Sequence, residues 1–184
     1  MNLEQPTPKK IKVFISYSHA PEPHKQHVLK LANHLRSEGI DAVIDQYQES
    51  SPPPEGWQKW MDQQIDKSDF VIVVCTETYF RRIECSKDDN VRKDDKDVKK
   101  GQGVKWETAL LYLDIYNNDS LNKRFIPVLL EGGDETYILR PLRSTTYYRY
   151  PEQYDALYRR LTGQPQVNIP EVGELRYLPP DDMP

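Results

Sequence analysis

Phe70–Val74 reads FVIVV, five apolar residues in a row with no polar residue alternating among them. Successive side chains of a strand point to opposite faces, so a strand half in water alternates apolar with polar. A run apolar at every position has both faces covered, as in parallel sheets with helices on each side. Three more short apolar blocks accompany it: Ile11–Ile15 (IKVFI), Ile40–Ile44 (IDAVI) and Phe125–Leu130 (FIPVLL). Between the blocks the period changes to that of helices. His24–Glu38 puts Val28, Leu31, Ala32 and Leu35 on one stripe, and Gly39 follows where a C-terminal cap is expected. Trp57–Lys67 carries Trp57, Trp60, Met61 and Ile65, and Val104–Tyr116 carries Trp106, Ala109, Leu110, Leu113 and Tyr116. The order β-α-β-α-β-α-β demands right-handed crossovers. The expectation is an α/β fold with a central, mostly parallel sheet of about five strands and helices on both faces.

The flanks set the domain limits. Thr145–Tyr150 (TTYYRY) is expected to add a fifth, edge strand. Pro151–Leu161 then reads as a helix with Tyr154, Leu157, Tyr158 and Leu161 on one face, ended by Gly163 and Pro165. One folded unit over residues 11–163 follows, with a flexible N-terminus over 1–10. Residues 164–184 are punctuated by proline and lack periodicity, which suits a linker or tail leading to further domains of a longer parent protein. Two loops stand out. Gln48–Gly56 (QESSPPPEG) is stiffened by three consecutive prolines, and Ser86–Lys100 is almost wholly charged with six cations against five aspartates, a solvated excursion by composition.

Composition narrows the function classes. A chain of 184 residues suits one domain plus short extensions. No apolar run is long enough to span a bilayer, and the first ten residues have no apolar stretch of the secretory kind. The two cysteines, Cys75 and Cys85, are too few for a disulfide framework and fit a reducing cytoplasm. A net charge of −4 argues against a general nucleic-acid binder.

Enzymatic signatures are mostly missing. There is no P-loop, and Gly101-Gln102-Gly103 lacks the third glycine and the preceding strand of a dinucleotide fingerprint. His24 and His27 have no further ligand nearby in sequence, and Cys75 is better placed as a small buried hydrophobe than as a nucleophile. What remains is the edge at the carboxyl ends of the strands, where open parallel sheets bind ligands. It would gather Ser16, Tyr17, Ser18 and His19; Asp45, Gln46 and Tyr47; Cys75, Thr76 and Glu77; and Trp106 with Glu107. Glu107 lies in the first turns of a helix, where the dipole alone is reason enough for a carboxylate. Tyr17 also reads as core packing, and Trp57 as packing its helix on the sheet.

The segments KVFISYSH (Lys12–His19), GIDAVIDQY (Gly39–Tyr47), Trp57-x-x-Trp60 with SDFVIVVCTETY (to Tyr79) and GVKWETALL (Gly103–Leu111) resemble a bacterial SEFIR domain. That family belongs to the wider TIR-like (Toll/interleukin receptor-like) group, and the resemblance spans roughly residues 10–163. It implies a flavodoxin-like three-layer sandwich. It implies self-association, or association with other SEFIR or TIR domains, through the Asp45–Gly56 loop and the helix after it. It also implies hydrolysis of NAD, as substrate and with no cofactor or metal, at the nicotinamide–ribose bond, with Glu107 as the catalytic residue. Ser16, Tyr17, Ser18, His19, Asp45, Trp57, Thr76, Glu77 and Trp106 are then the substrate-binding candidates. The TIR pattern places its glutamate four residues after a tryptophan, whereas here Glu107 follows Trp106 directly, as in the SEFIR pattern. An assembly-dependent NAD hydrolase of defence or stress signalling is the first expectation. A non-catalytic adaptor is the second.

Overall fold

The computed structural model describes residues 10–19, 22–84 and 122–178. Within them the elements are β1 (Lys12–Ser16), α1 (Glu22–Ser37), β2 (Asp41–Val43), α2 (Trp57–Lys67), β3 (Phe70–Val74), α3 (Glu77–Glu84), β4 (Phe125–Leu129), β5 (Tyr148–Arg149) and α4 (Tyr154–Thr162). The five strands form one sheet in the order β2-β1-β3-β4-β5. Every neighbouring pair is parallel. This is the flavodoxin-like order: the chain steps from β1 to β2, returns past β1 to β3 and continues outward.

Right-handed crossovers on the two sides of β1 place the helices on opposite faces. Alternation along the strands fills the two resulting layers. Val13, Ile15, Ile72, Val74, Ile126 and Val128 pack with Val28, Leu31, Ala32 and Leu35 of α1 and with Tyr154, Leu157 and Leu161 of α4. Phe14, Val71, Val73, Phe125 and Leu129 pack on the other face with Trp60 and Ile65 of α2 and Tyr79 and Ile83 of α3. β3 sits at the centre of the sheet and feeds both layers, which is why FVIVV has no polar position.

Local signals explain where the elements stop. Gly39 takes φ +90°, a conformation that costs glycine little. It lets Gly39 N–H reach the Arg36 carbonyl at 3.2 Å and Ile40 N–H reach that of Leu35 at 3.0 Å. This glycine cap ends α1 and turns Ile40 into the core, 3% exposed. At the other end of the following loop, Gly56 N–H closes a turn onto the Pro53 carbonyl at 3.0 Å, with φ +85°.

The four apolar blocks are strands within one or two residues of their expected limits, and the fifth strand is shorter than TTYYRY, only Tyr148–Arg149. One helix is an addition. α3 follows β3 at once, started by Thr76, whose Oγ1 accepts the Tyr79 N–H at 3.1 Å. The expected helix Val104–Tyr116 and the charged loop before it lie outside the described residues.

Because β3 supports both layers, Ile72→Ala should lower unfolding stability by about 3 kcal/mol in urea titration. Lys30→Ala on the exposed side of α1 should stay within about 0.5 kcal/mol of wild type. A near-neutral Ile72→Ala would contradict this packing.

Candidate functional site

β1, β2 and β3 end at the same edge, so the segments following them meet there. Past Val13–Ile15 the alternation of β1 continues. Ser16 turns toward α3 and its Oγ lies 2.8 Å from the Tyr79 hydroxyl, both groups buried. Tyr17 turns to the other face and its hydroxyl donates to Asp45 Oδ1 at 2.7 Å. His19 Nε2 meets the second oxygen, Oδ2, at 2.6 Å. The Tyr17 and His19 rings lie parallel, 8° apart in plane with centroids at 5.3 Å. Both carboxylate oxygens of Asp45 are thus held from the loop after β1. Asp45 itself is 16% exposed and His19 51%, so the imidazole is the solvent side of this junction.

Electrostatics follow from that geometry. Burial opposes the charge of Asp45, but the bonds from His19 and Tyr17 outweigh it and hold the carboxyl below its ordinary value. Burial, with the Asp45 carboxylate alongside, pushes the Tyr17 phenol up, so it keeps its proton and donates. A second link joins the loops after β1 and β3: Ser18 Oγ lies 3.1 Å from Thr76 Oγ1, the same oxygen that caps α3. Arg82 of α3 donates from Nη2 to the His19 carbonyl at 3.3 Å.

The sequence candidates therefore fall into distinct environments. Ser16, Tyr17 and Ser18 are buried, and each makes its hydrogen bond within the protein. His19, Asp45 and Thr76 converge at the edge. Glu77 stands on the outer side of α3, ion-paired with Arg81 one turn on. Trp57 is 40% exposed at the start of α2, edge-on to Trp60 at 5.9 Å. Trp60 in turn stands edge-on to Phe14 at 6.1 Å, so Trp57 is the outer end of an aromatic series that begins in the core. Cys75 is buried, which pushes its thiol up to about 12 and leaves little thiolate for nucleophilic chemistry. Among the described residues no group of three or more His, Cys, Asp or Glu side chains is arranged to hold a metal. Trp106 and Glu107 lie outside the described residues. Tyr79 and Arg82 were missed from sequence. The signal was Thr76 three residues before Tyr79, a helix start followed by apolar Phe80 and Ile83.

The segment after β2 begins with a 3-10 turn, Asp45–Gln48. Gln46 Nε2 donates to the Lys25 carbonyl at 3.2 Å and the Tyr47 hydroxyl to Asn33 Oδ1 at 2.7 Å, so the segment lies against α1. Tyr47 remains 37% exposed. Among the described residues up to Gly163, Tyr47 and Trp57 are the large apolar side chains left exposed, one near each end of this segment. A shallow depression of about 470 Å³ beside Trp57 is lined by Glu55, Gln58, Lys59 and Asp62.

A family model for the SEFIR domain matches residues 11–161. The chain belongs to the SEFIR family. The solved structure of a prokaryotic SEFIR domain is similar at 27% identity, covering 89% of this chain and 100% of that one, with a TM-score of 0.59. The SEFIR domain of IL-17 receptor B, at 16% identity, shares the fold over 83% of this chain and 95% of that one, with a TM-score of 0.56. The protein is thus a SEFIR domain, a signalling domain of TIR-like type. In this SEFIR domain the flavodoxin-like order brings the segments after β1, β2 and β3 to one edge, where the junction of Tyr17, His19 and Asp45 lies.

Asp45 gives a pH test. Its folded value lies below its ordinary 3.8, so its contribution to stability is complete above about pH 4 and is lost as pH falls through the folded value. The stability gap between wild type and Asp45→Asn, read by urea denaturation, should be widest near neutral pH and narrow steadily as pH falls below about 4. A gap independent of pH would contradict the junction.

Proposed function

We propose that this SEFIR domain works by like-with-like contact with other SEFIR or TIR-like domains, through residues 45–56 and the start of α2. The observation that carries this reading is the pairing of Tyr47 and Trp57, both exposed, at the ends of a segment closed by a proline turn. Aromatic side chains held rigidly at a surface lose little entropy on contact and are enriched among residues that dominate interface energy. The polar groups of the neighbouring edge favour the same reading, since Ser16, Tyr17, Ser18 and Asp45 are already engaged with one another and with α3. A cytoplasmic setting accords with the low cysteine content. The acidic balance of the chain, at −4, favours protein partners over nucleic acid.

NAD hydrolysis is the second reading, favoured by the position of His19, Asp45 and Thr76. They lie at the carboxyl edge beside β1 and β3, where the strand order reverses and doubly wound sheets bind ligands. Cleavage at the nicotinamide–ribose bond passes through an oxocarbenium-like state, which a carboxylate near the ribose stabilises as neutral nicotinamide leaves. Glu107 is the residue proposed for that role, with Trp106 beside it, and NAD is the substrate with no cofactor required. Assembly would then gate the reaction.

Sedimentation velocity over rising protein concentration tests the first reading. Wild type should self-associate, and Trp57→Ala should weaken association by about tenfold or more. Equal association of both would contradict it. Nicotinamide release tests the second: turnover should rise steeply with protein concentration and vanish in Glu107→Ala. Self-association without turnover at any concentration would leave the adaptor reading alone.

A further inference from the structure

We infer that His19 is a positioning residue for the assembly segment: with Tyr17 it fixes the Asp45 carboxylate and so sets how residues 45–56 are presented to a second copy. The inference rests on the assembly reading above.

Several ties hold the segment, and they differ in kind. Gln46 and Tyr47 bond α1 at 3.2 and 2.7 Å, and Glu49 pairs with Lys25 of α1 at 3.9 Å. These fix the segment sideways against one helix. The Asp45 bonds instead reach the loop after β1, and they act on the first residue of the 3-10 turn that carries Tyr47. The preceding residue, Ile44, offers that turn no side-chain cap. The direction in which the turn leaves the sheet is therefore set at Asp45.

Within the junction the three members are not equivalent. Tyr17 is 5% exposed, packed in the layer under α1 and braced against the His19 ring. His19 is half exposed, yet makes the shorter of the two bonds to the carboxylate. A hydrogen bond to an ionised carboxylate is stronger than a neutral one and more demanding in geometry. The backbone of His19 is held as well, by Arg82 from α3. The imidazole thus joins the loop after β1 to the segment after β2, while the carbonyl of the same residue is tied to the helix after β3. Removing the imidazole takes away the shorter of the two side-chain bonds and leaves Tyr17 as the side-chain donor from the loop after β1.

Two variants and two readouts test this. His19→Ala should weaken self-association by about tenfold in sedimentation velocity, the loss expected for one charge-assisted bond at a partly exposed site. It should also speed amide exchange over residues 45–56 while leaving the buried turns of α1 unchanged. His19→Gln keeps a side-chain N–H donor and should recover most of both. Wild-type association in His19→Ala, where Trp57→Ala has lost it, would overturn the positioning role and leave the assembly reading standing. Failure of wild type itself to associate would overturn the assembly reading, and the claim about presentation to a second copy with it. Unchanged exchange over residues 45–56 in His19→Ala would overturn the positioning role in either case, as would equal losses in His19→Ala and His19→Gln.

Discussion

β3 has no solvent face, and the remaining architecture answers that constraint. A strand with Val71 and Val73 on one side and Ile72 and Val74 on the other must be covered twice, by helices whose apolar stripes match. The chain covers it by stepping outward to β2 first and returning, which puts α1 on one side and α2 and α3 on the other. The same reversal of direction leaves the segments after β1 and β3 side by side at the carboxyl edge, next to the segment after β2. The candidate functional region is therefore a consequence of the core. Burying FVIVV on both faces brings Tyr17, His19, Asp45 and Thr76 together.

At that edge the chemistry is largely inward-looking. Asp45 accepts from Tyr17 and His19, Ser18 is matched with Thr76, and Ser16 with Tyr79. Such pairing satisfies buried polar groups that would otherwise cost stability, and it ties three loops and α3 into one unit. The exposed features nearby are of another kind: the Tyr47 and Trp57 rings and the proline turn between them. An edge that is internally satisfied beside a surface that is aromatic and stiff is what supports the proposed contact role.

The strands were legible because their signal is strong and local: short β-branched blocks with no polar alternation have few alternatives. Gly39 as the stop of α1 was legible for the same reason, since a glycine after a periodic stretch has a definite conformational use. α3 was not read, because TETYFRRIE is short and its apolar residues merge with the preceding strand, though Thr76 marked its start. The burial of Ser16 and Ser18 was also out of reach, whereas core packing was already one reading of Tyr17. A Ser-Tyr-Ser run reads as polar loop, and only the continued alternation of β1 past its last ladder bond shows that each side chain has a partner on a different element. The contact between His19 and Asp45 spans 26 positions and depends on which strands are neighbours, which sequence spacing alone does not contain.

On the proposed reading, copies meet through the segment after β2, framed by Tyr47 and Trp57. Amide hydrogen exchange of the wild-type protein, compared at low and high concentration, tests it most directly. New protection at high concentration should include residues 45–56 and the first turn of α2, with the carboxyl edge otherwise unchanged. Protection that leaves this segment untouched and falls on α4 or on β5 would contradict it.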